Sequence, residues 1–154
     1  MMTNVGRFRI LIVPGLHNSR PDDCQTRWQQ MHPSFERVEQ VDWERPDIAA
    51  WSEQINKALR RSVRPAIIVA HGFGCLATVH RASMGAPQLC GALLVAPADP
   101  KKFWVETQVT QALAPLPATM IHGWMLTEPN GGRHNGVPGS SRRAQSATST
   151  LIRA

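Results

Sequence analysis

The chain has 154 residues, 42% of them hydrophobic, enough for one domain that buries about two-thirds of its unfolded surface. No apolar run approaches the ~20 residues of a membrane span, so a membrane partner is not expected. The net charge of +6 is divided between a body and a tail: residues 1–121 hold 13 basic and 10 acidic side chains, and the last 33 residues hold four arginines against Glu128. No single basic face accumulates, which argues against a nucleic-acid partner.

The first apolar segment has no charged leader and no small-residue cleavage site, so it reads as a strand, and the expected location is cytoplasmic. Cys24, Cys75 and Cys90 are odd in number and lack metal-ligand spacing. They read as reduced, buried thiols, with no metal and no cofactor implied.

In chain order, Phe8 to Val13 is a buried strand closed by Pro14-Gly15. Residues 22–32 suit a helix, with Pro21 and two aspartates at its start. Val38 to Val41 reads as a second strand. Asp47 is a good N-cap for a helix whose Ile48, Trp51, Ile55, Ala58 and Leu59 share one face. Arg60, Arg61 and Arg64 suit its C-terminal end, and Pro65 stops it.

Ala66 to Ala70 is a third strand, apolar throughout, as a parallel sheet covered on both faces requires. Gly74 to Met84 continues as a helix, Gly91 to Ala96 is a fourth strand, and Val105 to Leu113 reads as a helix. Ala118 to Ile121 begins a fifth strand. The alternation indicates an α/β fold with a doubly wound parallel sheet, whose ligands bind beyond the carboxyl ends of the strands. Residues 127–150 contain Val137 as their one branched aliphatic residue and bury too little to offset ordering entropy. The division is therefore a domain at 1–121 and a divergent, basic, poorly structured tail at 122–154.

The turn Ala70-His71-Gly72-Phe73-Gly74, between a strand and a helix, has the small-x-Ser-x-Gly spacing of a nucleophile elbow, with glycine where the serine belongs. On this pattern alone a plain glycine-rich turn is the commoner reading. Further blocks bear on it: Pro14-Gly15-Leu16-His17-Asn18-Ser19, Gln25-Thr26-Arg27-Trp28-Gln29, Val41 to Asp47, Val69 to Leu76, and Leu93 to Pro100. In this order and spacing the chain resembles the small serine-hydrolase family of retinoblastoma-binding protein 9 and its bacterial relatives, a compact branch of the α/β hydrolases. The resemblance covers roughly residues 8–121.

It implies an α/β-hydrolase-like sheet and hydrolysis of a small ester or amide through an acyl-enzyme. It also implies what is missing. Gly72 occupies the nucleophile position, so no catalytic residue is intact. The family's aspartate after the fifth strand and its later histidine block are both unmatched, since this chain reads Ile121-His122-Gly123-Trp124-Met125 and has no aspartate after Asp99. The last strand and helix are expected to be absent, and a frame slip near codon 122 would account for the tail.

By position, Leu16, His17, Asn18, His71, Phe73 and Gly74 form the pocket and oxyanion region, with backbone N–H groups of the first loop and of Phe73 as donors. Arg20 stands where the family has glycine, and Asp23-Cys24 where it has His-Trp. His134 reads as a solvated loop residue, Cys75 as a core residue, and Asp99 as a cap after strand four. Trp28, Trp43 and Trp51 read as packing residues. The expectation is a catalytically impaired hydrolase; the alternative is a non-catalytic module that binds through the vacated pocket or an exposed sheet edge.

Overall fold

The computed structural model describes residues 7–113 and 149–153. Chain order gives β1 (Arg9–Val13), α1 (Cys24–Met31), β2 (Glu36–Arg37), α2 (Ile48–Arg60), β3 (Ala66–Gly72), α3 (Phe73–Ser83) and β4 (Leu89–Pro97). A 3-10 turn (Pro100–Phe103), α4 (Glu106–Leu113) and β5 (Ser149–Arg153) follow. The sheet runs β2-β1-β3-β4-β5, the first four strands parallel and β5 antiparallel to β4.

Order reverses at β1: the chain steps outward from β1 to β2, then returns across β1 to β3. Right-handed crossovers place α1 on one face and α2 and α3 on the other. In agreement, α3 packs between α2 and α4. The loops after β1 and β3 therefore leave the sheet toward opposite faces and open a crevice at its carboxyl end.

The core lies between β1, β3 and β4 and the α2–α3–α4 layer, with Leu11, Ile55, Ile68, Phe73 and Leu76 at its centre. Phe73 lies edge-on to Trp51, with ring centroids 5.1 Å apart, and to Phe103 at 5.0 Å. Trp43 abuts Trp51 at 5.7 Å, and the Trp51 indole N–H donates to Arg45 O at 3.0 Å, so these tryptophans are packing residues. Asp47 caps α2 by accepting from Ala50 N–H at 3.0 Å.

The expected second strand is displaced. Pairing with β1 falls to Glu36 and Arg37, opposite Leu11 and Ile12, and is closed by the Val38 N–H on Ile12 O at 2.9 Å. Val41 is 81% exposed. The aliphatic pattern pointed downstream because two charged residues are poor strand candidates, yet both are satisfied here. Glu36 takes a two-pronged bond from Arg9 at 2.9 Å on each arm. Arg37 donates to Gln29 at 2.9 Å, to Thr26 at 3.1 Å and to Asn18.

The tail also differs from expectation at one point. Ser149–Arg153, inside the segment 122–154, pairs with Val95 back to Gly91. A strand edge carries unpaired N–H and C=O groups that favour such pairing, and Thr150, Leu151 and Ile152 have the composition for it. The β4 edge is therefore occupied by β5 along Gly91 to Val95. The expected strand Ala118–Ile121, the boundary at 121/122 and His134 lie outside the described residues. Among the described residues no helix is long and apolar enough to cross a membrane.

Candidate active site

β3 passes into α3 without an intervening residue, and Gly72 makes the turn with φ 55° and ψ −125°. That backbone region is close to forbidden for a residue with a Cβ and nearly free for glycine. The torsion distinguishes an elbow from a plain turn. Space is not the constraint, since among the described residues a Cβ on Gly72 would meet only the Gly15 Cα at 3.6 Å.

Gly74 is constrained by contact instead. A Cβ there would lie 2.6 Å from the carbonyl oxygens of both Val13 and Pro14. The first turn of α3 thus rests directly on the end of β1. Gly15 completes the junction, with room for a Cβ only 3.3 Å from His71 O. Three glycines let the loop after β1 and the elbow touch through backbone.

That loop is held in an unusual shape. His17 and Asn18 both take left-handed backbone angles, φ 63° and 62°. The His17 N–H donates to Trp43 O at 3.0 Å, the Asn18 N–H to Gly15 O at 3.2 Å, and the Ser19 N–H to Asn18 Oδ1 at 2.7 Å. The expectation that His17 and Asn18 offer backbone donors to an oxyanion is corrected by these bonds, because both N–H groups are engaged. The free donors are Leu16 N–H, which has no acceptor among the described residues, and Phe73 N–H, at the first position of a helix where none is available within the helix. The Phe73 side chain is buried in the core and contributes only this backbone group.

Gln25 anchors the loop from below. It is 2% exposed; its amide donates to Val69 O at 3.1 Å and Val13 O at 3.4 Å, and it accepts from Ser19 Oγ at 3.0 Å. Sequence reasoning placed Gln25 in a helix without a role. The signal was one amide in a helix that also carries Gln29 and Gln30, too weak to separate it from them.

The loop and elbow enclose a cleft of about 290 Å³ lined by residues 15–20, residues 23–25 and His71. Leu16, His17, Asn18 and His71 thus come together at one opening, while Phe73 and Gly74 are buried and do not line it. On the rim, His17 Nδ1 lies 2.6 Å from Glu44 Oε2, with both side chains exposed. Of the three cysteines expected to be buried, Cys75 is buried, Cys90 is half-buried, and Cys24 is exposed at the start of α1, lining the cleft.

Two groups near the elbow, Cys75 and Asp99, are otherwise occupied. Burial pushes the Cys75 thiol up to about 12, and its Sγ faces Val95 O at 3.5 Å, so no thiolate forms near neutral pH. Asp99 caps the 3-10 turn through Lys101 N–H at 3.0 Å. Among the described residues no three His, Cys, Asp or Glu side chains gather to hold a metal ion. What stands here is a strained turn beside two backbone donors, Leu16 N–H and Phe73 N–H, with no hydroxyl at Gly72.

Comparison with known proteins agrees with this geometry. The family model for serine hydrolases matches residues 10–126. A YdeN-like hydrolase from Pectobacterium atrosepticum has a similar structure, with a TM-score of 0.65 and 31% sequence identity over 67% of this chain. The chain spans 56% of that hydrolase's length. No curated protein matches the chain. With the family model covering well over half of its residues and the elbow in place, the chain belongs to the serine hydrolase family.

Proposed function

We propose that this serine hydrolase family protein is catalytically impaired and keeps its cleft as a binding site for a small ester or amide. One observation carries the reading: Gly72 holds the elbow torsion but brings no hydroxyl. Acyl transfer in this family begins with a side-chain oxygen attacking the carbonyl carbon, and a hydrogen atom does not replace it. The Leu16 and Phe73 N–H groups still suit a polarised carbonyl, and the cleft has room for a compact ligand. Binding without turnover follows. The proposed location is the cytoplasm, supported by three cysteines in no disulfide.

A fluorophosphonate probe tests the reading directly. Purified protein is expected to show no stoichiometric labelling, and hydrolysis of p-nitrophenyl esters is expected to stay within the residual ~10³–10⁴ over water that binding and an oxyanion cradle supply. Gly72→Ser is expected to lose about 1–3 kcal/mol of stability to backbone strain and to gain little turnover. Stoichiometric labelling of the unaltered protein would overturn the proposal.

A further inference from the structure

One arginine lines the cleft, and among the described residues the fold makes no use of its charge. Arg9 is fixed by Glu36 and by the carbonyls of Ala58 and Leu59. Arg37 is fixed by Asn18, Thr26 and Gln29. Arg20 lines the cleft, and its guanidinium has no hydrogen bond or ion pair among the described residues.

Its backbone is nevertheless held. The Arg20 N–H donates to Asp23 Oδ2 at 2.6 Å, and the preceding Ser19 is tied to the buried Gln25. The main chain at Arg20 is therefore fixed at the cleft, and its side chain is exposed. Asp23, which also lines the cleft, accepts that N–H through one carboxylate oxygen, and Glu44 pairs with His17. The second imidazole of the cleft, His71, also has no hydrogen bond among the described residues.

We propose that Arg20 makes this cleft selective for an ester or amide that carries a carboxylate, with the guanidinium binding that group. The proposal rests on the cleft being a ligand site, as argued above, and adds the charge of the ligand. A guanidinium matches a carboxylate with two parallel N–H bonds, and charge-assisted bonds of this kind are about twice as strong as neutral ones. Burying the ligand between the loop and α1 removes water from the pair and strengthens it.

The test is calorimetric titration of the full chain at pH 7.5 with monomethyl succinate, an anion at this pH, and with its neutral isostere methyl succinamate. The anion is expected to bind about tenfold more tightly at low salt, with the margin shrinking as sodium chloride is added. Arg20→Met is expected to equalise the two ligands, and Arg20→Lys to restore part of the preference, with His71 imidazole resonances reporting binding at the cleft. Equal binding of both ligands with the His71 resonances moving overturns the role of Arg20 and leaves the cleft reading standing. A preference that survives in Arg20→Met also overturns it. Binding of neither ligand overturns both.

Discussion

Gly72 and Gly74 lie two positions apart and are glycine for different reasons. The first answers to torsion, φ 55° and ψ −125°; the second answers to contact, with carbonyl oxygens 2.6 Å from any added Cβ. Gly74→Ala is therefore expected to destabilise the fold by about 3 kcal/mol, the upper part of the range for overpacking, because two backbone oxygens yield less readily than a side chain. Urea melts of the two proteins check this, and a loss below about 0.5 kcal/mol would mean that α3 slides freely on β1. At this scale the spacing alone favoured a plain turn, the family resemblance pointed to the elbow, and the oxyanion donors were left undecided. Whether a backbone N–H is free depends on what crosses over it. His17 N–H is engaged by Trp43 O, 26 residues away, and no local pattern signals that bond.

Among the elements, α3 and α4 fall within a residue of their expected places and α2 starts at the expected cap, because caps and apolar faces act locally; α2 ends at Arg60, four residues before the stop expected at Arg64-Pro65. The two edges of the sheet departed from expectation. β2 is two charged residues made acceptable by Arg9 and by the Asn18–Thr26–Gln29 cluster, and β5 is a pentapeptide whose partner strand ends more than 50 residues earlier. Edge strands depend on what they meet rather than on their own periodicity. Removing residues 149–154 is expected to bare the β4 edge, speed amide exchange at residues 91–95 and promote association. Exchange mass spectrometry with light scattering reads both effects. Unchanged exchange at these amides would show that β5 contributes nothing to the sheet.

For the molecule as a whole, one ion pair joins three elements. Arg9, 7% exposed in β1, holds Glu36 of β2 and the last carbonyls of α2, with Nη2 on Ala58 O at 2.9 Å and Nη1 on Leu59 O at 3.2 Å. The hydrogen bonds from Arg9 keep the Glu36 carboxyl below its usual range. A carboxyl lowered by folding contributes stability above its unfolded value, near 4.3, and loses it as pH falls through the lower folded value. With the Glu36 side chain 41% exposed, screening limits the effect to about 1 kcal/mol. Thermal melts of the unaltered protein and Glu36→Gln are expected to differ at pH 7 and to converge as pH drops below about 4. A gap that persists at pH 3 would place the effect elsewhere than in the charge.

The sequence by itself determined the alternation of strands and helices and the absence of a hydroxyl at position 72, because each is written in neighbouring residues or in the identity of one side chain. Only the tertiary structure decided which backbone donors remain free, which strand lies at each edge, and that Arg20 stands unused in a cleft while Arg9 and Arg37 do not. Those outcomes depend on groups brought together from distant parts of the chain, where a carbonyl, an edge or a carboxylate is claimed by whichever partner the fold places within about 3 Å.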